Sequence, residues 1–304
     1  MATDFTPPDV LVLGAGGTLG ITWTQGLLAG IEDATGHDFR TTESLIGTSA
    51  GSVVAASLAG GRRPTRPDGR ERAVPLPVRH TRPALRPLGP PLKVATALAT
   101  PWAAPALGLT APGGRLLRAA AARAIPGGER DLDDLRELIT RRGARWDGRL
   151  RVCAVDRRRG RRVVFGSPGA PKASVADAVA ASCTVPWIHQ IARIDGREYI
   201  DGGVWSVTNL DIAPAGTGTN VLCLNPTASL EIARTSPYAA LRAVATGMTA
   251  IEALALRARG ARVQVIGPSP DVARIMGIDL MDERRGPPVL AGAYEQGLGL
   301  GGAG

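Results

Sequence analysis

The sequence predicts an α/β fold with a mainly parallel central sheet, and three features carry that prediction. Short apolar runs recur along the chain and stop at glycine or serine, as buried strands do. The first two runs are each followed by a turn and a helical pattern, giving the order strand–turn–helix twice over. Glycine fills the turn after the first run and brackets the turn after the second, which lets the chain bend sharply in a few residues.

The elements follow in order. Val10-Leu11-Val12-Leu13 stops at Gly14 and reads as a buried strand. A Gly-rich turn over 14–20 comes next, then a helical stretch over 22–34 that ends near Gly36. Residues 44–47 form a second candidate strand, Ser49 lies at the turn behind it, and the small-residue segment 50–59 reads as a helix. From Gly60 to Gly128 Pro and Arg crowd the sequence, around one apolar stretch at 92–109 that Pro101 and Pro105 interrupt. Residues 61–128 therefore read as an insertion, partly irregular, in a single domain spanning 1–304. A lid over the site is the favoured role for it, because it starts after the helix that follows Ser49. A helix at 132–140, strands at 150–155 and 162–165, and a helix at 175–182 restore regular structure. Asp195-Gly196 within 193–200 is a hairpin signal. Strands at 221–224 and 263–266 flank a helical pattern over 238–259, whose apolar positions include Leu241, Met248, Ile251 and Leu254.

Composition excludes several function classes. A chain of 304 residues with 44% apolar content can bury a sizeable core, and 4% aromatics means that Ala, Val, Leu and Ile must fill it. No apolar run reaches the roughly 18 residues of a membrane span, and 1–10 lacks the basic start and apolar centre of a secretory signal. Cys153, Cys183 and Cys223 are dispersed and odd in number, which argues against a disulfide framework and a zinc site. A cytoplasmic protein, peripheral to a membrane at most, is the expectation. The net charge of +9 is almost all arginine, the lysines being Lys93 and Lys172. The arginines are scattered without interleaved aromatics, which argues against nucleic acid and leaves a weak attraction to anionic membrane surfaces.

Three segments can carry chemistry. Gly47-Thr48-Ser49-Ala50-Gly51 is a G-x-S-x-G sequence between a candidate strand and a candidate helix, the setting in which a serine sits on a sharp turn facing a helix N-terminus. Its usual partner is a histidine later in the chain, but none of His37, His80 and His189 follows the candidate acid, and His189 reads as structural or pocket-lining. Asp201-Gly202-Gly203 offers a different base: a carboxylate at the end of a strand, followed by a tight turn, can activate a serine directly. The third segment is the 14–20 turn. As a dinucleotide loop of the G-x-x-G-x-x-G type it would need a Tyr-x-x-x-Lys elsewhere, and none of Tyr199, Tyr238 and Tyr294 supplies one. As a P-loop it lacks Gly-Lys-Ser/Thr. As a row of backbone N–H groups facing a developing alkoxide it makes use of Ser49 and Asp201 as well.

These three segments, in this order and at about this separation, resemble the patatin-like phospholipases. Ala181-Ser182-Cys183-Thr184-Val185-Pro186 is similar to the family's segment before Asp-Gly-Gly, and Asn209 and Asp211 to its polar continuation. Ile266-Gly267-Pro268, Met276-Gly277 and Leu280-Met281-Asp282 are similar to the C-terminal part of bacterial members. The resemblance implies a three-layer α/β/α fold and a Ser–Asp dyad without histidine, in which Ser49 attacks an acyl carbonyl and Asp201 takes its proton. It also implies an oxyanion site at the N–H groups of Gly16, Gly17 and Thr18, with Gly14, Gly20, Gly47, Gly51, Gly202 and Gly203 shaping the turns. The implied reaction is hydrolysis of lipid or other carboxylic esters through an acyl-enzyme, with no metal and no cofactor. An acyltransferase or thioesterase would use the same intermediate, and a non-catalytic α/β binding protein is the reading from another class. Two positions depart from the family. Leu19 stands where arginine is usual, so phosphate loses a bidentate partner. Trp187 stands where glycine is common, and either narrows the acyl pocket or packs beneath the strand.

Overall fold

The computed structural model describes residues 5–67, 114–228, 239–277 and 279–302, with side chains described for all of these except 114–118 and 239–245. The apolar stretch at 92–109, His80, Lys93 and Trp102 lie outside the described residues.

Strand β1 (Val10–Leu13) is central, with β2 (Ser44–Thr48) parallel on one side and β7 (Asn220–Leu224) parallel on the other. Beyond β2 lies β3 (Leu150–Asp156), also parallel, and beyond β7 lies β8 (Arg262–Ile266), parallel again. Two strands run the other way, β4 (Arg161–Phe165) and β6 (Arg197–Asp201), which both pair with β3, and β5 (Ala192–Ile194), antiparallel to β6, runs with β3 again. The β5–β6 turn is Asp195-Gly196 with φ of 49° and 68°, the doubly left-handed turn that an Asp-Gly pair favours.

Alternation along the strands divides the core in two. Leu11 and Leu13 face one side with Leu45, Leu222 and Leu224, where they meet α1 (Gly17–Thr35), α2 (Ala50–Ala59), α4 (Asp133–Arg141), α5 (Val175–Ser182), α7 (Pro270–Met276) and α8 (Gly286–Gly301). Val10 and Val12 face the other with Ile46, Val221 and Cys223, under α6 (Ala239–Arg257) and the turn at Leu210–Ile212. The result is helix, sheet and helix in three layers, and both faces of the parallel strands are apolar because both are covered. Helix α3 (Gly114–Ala124) precedes Ile125, which packs against Val155 and Ile200.

Three elements differ from the sequence expectation. The turn at 14–20 is shorter than expected, because α1 begins at Gly17 and its first turn absorbs the later glycines. Helix α3 lies within the segment expected to be partly irregular. Helix α8 gave no helical signal, since five of its residues are glycine, a poor helix former. Those glycines are packing positions. A Cβ on Gly297 would strike the Leu27 carbonyl, and one on Gly30 would strike the Tyr294 carbonyl, so α1 and α8 touch backbone to backbone. Tertiary contact, not local propensity, makes α8 a helix.

Candidate active site

The strand register explains why two residues 152 positions apart meet. Thr48, the last residue of β2, pairs with Cys153, while the next residue of β3, Ala154, pairs with Asp201. β4 pairs with Val152 to Asp156 and so occupies the opposite edge of β3. β6 therefore takes up the edge where β2 stops, and the first residue beyond β2 faces the last residue of β6. Those residues are Ser49 and Asp201, and Ser49 Oγ donates to Asp201 Oδ2 at 2.7 Å.

Ser49 sits at φ 51°, ψ −119°, a conformation that a non-glycine residue holds only at a cost of about 1–3 kcal/mol. The surroundings fix it. Ser49 N–H donates to Ser182 Oγ at 2.8 Å, and Ser182 Oγ donates in turn to the Cys153 carbonyl at 2.6 Å. Ser52 closes the other side, its Oγ donating to the Ser49 carbonyl at 2.6 Å. Gly51 is required by close approach: its N–H reaches the Gly14 carbonyl at 3.1 Å, and a Cβ there would collide with the Leu13 carbonyl. The N-terminus of α2 thus turns its positive dipole end toward the serine, while the Gly51 and Ser52 N–H groups are held by the Gly14 and Ser49 carbonyls.

Asp201 is buried, 5% exposed, and receives two hydrogen bonds: Ser49 Oγ on Oδ2 and Gly203 N–H on Oδ1 at 2.7 Å. Burial pushes its pKa up to about 7, and the two hydrogen bonds hold it from rising further. Among the described residues no histidine enters this arrangement. His189 Nδ1 accepts the Val185 N–H at 3.2 Å, which fixes the ring as a structural acceptor. Burial, with Arg130 beside it, lowers the His189 pKa to about 4, so the ring is neutral at pH 7.

The 14–20 segment passes over the same end of the sheet. Gly14 and Ala15 spend their N–H groups on the Leu224 and Val207 carbonyls, Leu19 on Leu280, and Gly20 on Gly16. Among the described residues the N–H groups of Gly16, Gly17 and Thr18 meet no acceptor, as befits the start of a helix. Gly17 has φ 60°, and a Cβ on it would press on the Leu280 carbonyl at 2.9 Å. The Leu19 side chain is fully buried in the core, so this loop presents N–H donors and no cation. Trp187 is half-buried at φ 63° with its N–H on the Pro126 carbonyl at 3.2 Å. A glycine would take that φ without strain.

Sequence reading missed the polar brace behind the pair. Asn209, at φ 50°, sends its side-chain amide to Thr48 Oγ1 at 3.0 Å and to the Ser206 carbonyl at 2.8 Å, with the Gly202 carbonyl at 3.4 Å. One side chain thus ties the residue before Ser49 to the residue after Asp201. Arg162 holds Asn209 Oδ1 at 3.1 Å, grips both oxygens of Asp211 at 2.6 and 2.7 Å, and lies 5.7 Å over the Trp205 ring. Glu252 of α6 accepts from Thr208 Oγ1 at 2.8 Å and Leu210 N–H at 3.0 Å. Only the placement of Asn209 and Asp211 soon after Asp201 hinted at this brace. Ser182 carried no signal beyond its place in the 181–186 segment.

A cleft of about 320 Å³ lined by Asp9, Glu43, Ser44 and Arg151 among others lies at the opposite ends of β1 and β2, away from Ser49. No three His, Cys, Asp or Glu among the described residues are grouped to hold a metal, and no described helix is long and apolar enough to cross a membrane.

A sequence profile described as patatin-like phospholipase matches residues 11–214, a span that contains the 14–20 loop, Ser49 and Asp201. Among solved structures, the type III effector protein ExoU aligns at 15% identity with a TM-score of 0.38. That alignment covers 98% of this chain and 53% of the effector, so the chain spans about half of that protein's length. No curated protein sequence matches.

Proposed function

The chain belongs to the patatin-like phospholipase family, whose members are ester-hydrolysing enzymes, and from that premise we propose that it cleaves lipid or other carboxylic esters with Ser49 as nucleophile and Asp201 as sole general base. The observation that carries this reading is the 2.7 Å hydrogen bond from Ser49 Oγ to a buried carboxylate. Asp201 Oδ2 accepts the hydroxyl proton as Oγ attacks the acyl carbonyl carbon. The carbonyl oxygen becomes an oxyanion against the N–H groups of Gly16, Gly17 and Thr18. The tetrahedral adduct collapses, the ester C–O bond breaks, and Asp201 returns the proton to the departing alkoxide. Water then attacks the acyl-enzyme, giving its proton to Asp201, and the carboxylic acid leaves as Oγ is reprotonated.

The pKa of Asp201 near 7 suits both halves of this cycle, because the group must take and return a proton at neutral pH. The lack of a cation on the 14–20 loop favours recognition of the acyl carbonyl there over recognition of a headgroup phosphate. Mass spectrometry after treatment with a fluorophosphonate tests the proposal. One adduct is expected, on the peptide containing Ser49, and none in Ser49→Ala. The absence of any adduct on the wild type would leave a non-catalytic α/β binding protein. If an added alcohol competes with water for the acyl group at millimolar concentration, acyl transfer replaces hydrolysis as the reaction.

A further inference from the structure

Helix α6 wears its polarity inside out. Glu252, the only carboxylate between residues 239 and 266, turns inward to Thr208 and Leu210. Thr249, Ala253 and Leu256 are buried beside it. The outward side, at the i, i+3, i+4, i+7 spacing of one helical face, is Gly247, Ala250, Ile251, Leu254, Ala255 and Ala258, all exposed. Ile251 is 68% exposed and Leu254 61%. On the sheet edge, Val265 shares the side of β8 that holds Val263 in the core under α6, and it too is exposed. A surface helix normally presents charge outward and apolar residues inward, and contiguous exposed apolar surface marks a contact with something apolar.

Charge identifies the occupant. Arg257, Arg259 and Arg262 are exposed at the C-terminal end of the stripe, and no exposed carboxylate stands between residues 246 and 266. A second copy of this face would bring the arginines no counter-charge. An acyl boundary with anionic headgroups matches both parts of the surface. We propose that the outward face of α6 docks the protein on a bilayer carrying anionic phospholipid, with Ile251 and Leu254 at the acyl boundary and Arg257, Arg259 and Arg262 at the phosphates. α6 follows β7 and so starts from the end of the sheet that carries Ser49, and Glu252 joins it to the 208–210 segment beside Thr48. Arg262, paired with Asn220, lies at the other end of the sheet, so docking lays α6 lengthwise on the bilayer; it rests on the lipid-ester reading above but not on the chemistry of Ser49.

Co-sedimentation with sucrose-loaded vesicles tests this, using the full chain as Ser49→Ala so that no lipid is consumed. The protein is expected to pellet with phosphatidylcholine vesicles that contain phosphatidylglycerol, and weakly without it. The pair Ile251→Glu and Leu254→Glu should lower the partition by about tenfold or more, because two large side chains leave the acyl boundary and two like charges meet the lipid. With Ser49 present, the same pair should leave hydrolysis of soluble p-nitrophenyl butyrate unchanged, which shows the fold intact. Should that activity fall, replacing the three arginines by Gln is the second arm, with an expected loss of about fivefold per arginine on anionic vesicles alone. Failure of the wild type to pellet, or pelleting indifferent to both sets of substitutions, overturns the proposal. So does a dimer in light scattering that the Glu pair converts to monomer, since a second copy then covers the face. A missing fluorophosphonate adduct would count against the hydrolase reading and not against the docking surface.

Discussion

Two buried carboxylates stand near Thr48–Ser49, and they differ in what they are asked to hold. Asp201 ends a strand and accepts from one backbone N–H and one hydroxyl, that of Ser49. Glu252 comes from a helix and accepts from the Thr208 hydroxyl and the Leu210 N–H. Burial raises both pKa values, with hydrogen bonds opposing the rise in each. The difference is the donor. The hydroxyl on Asp201 sits on a strained turn at a helix N-terminus, so its loss of a proton is useful. The hydroxyl on Glu252 sits on a segment that this carboxylate fixes in place. On the proposed mechanism, two groups with similar surroundings separate into a base and a brace by what they face.

Substitutions break that comparison in graded steps. Ser49→Ala should lower kcat for p-nitrophenyl butyrate the most, by about 10⁴-fold or more, because the covalent route is gone. Circular dichroism should show the fold retained, since one hydroxyl leaves a turn. Asp201→Asn should lower kcat by about 10²–10⁴-fold, the usual worth of a general base. It should also stabilise the protein at alkaline pH. The folded state binds the Asp201 proton more tightly than the unfolded chain, so the destabilisation is absent below pH 4, grows as pH rises, and is complete above pH 7. A shift of this size corresponds to on the order of 4 kcal/mol, and thermal melts at pH 5 and pH 8.5 should show a variant advantage that is clearly larger at the higher pH.

The brace should respond less. Asn209→Ala removes the tie between Thr48 and the Gly202 end of the turn, and misplacement on this scale costs up to about 10²-fold in kcat with little change in KM. An unchanged kcat would reduce Asn209 to packing. Glu252→Gln keeps an acceptor for Thr208 and Leu210 and should cost less than about tenfold, read in the same assay. His189→Ala should change kcat least of all, because its ring holds the Val185 N–H and not Ser49.

The sequence exposed the parallel strands and the reactive turns more clearly than the layers around them. Strands Val10–Leu13 and Asn220–Leu224 are apolar on both faces, and helices Ala50–Ala59 and Val175–Ser182 are bounded by small or turn residues, so local chemistry marks them. Ser49 and Asp201 were legible as turn residues, but their meeting depends on the register by which Cys153 and Ala154 hand one edge of β3 from β2 to β6. That register is a tertiary property without a local signal. Helix α8 was hidden because its glycines serve contact with α1 and not helix propensity. Glu252 was hidden by its neighbours: one acid in an Ala- and Leu-rich helix reads as the outward residue, and here it is the inward one.

The central claim is that a carboxylate alone activates Ser49, and the rate of Ser49 labelling by a fluorophosphonate between pH 5 and 9 tests it most directly. The account predicts a labelling rate that rises with pH through a midpoint near 7, survives in His189→Ala, and collapses to a low, flat profile in Asp201→Asn. A midpoint that persists in Asp201→Asn, or one that disappears in His189→Ala, would contradict it.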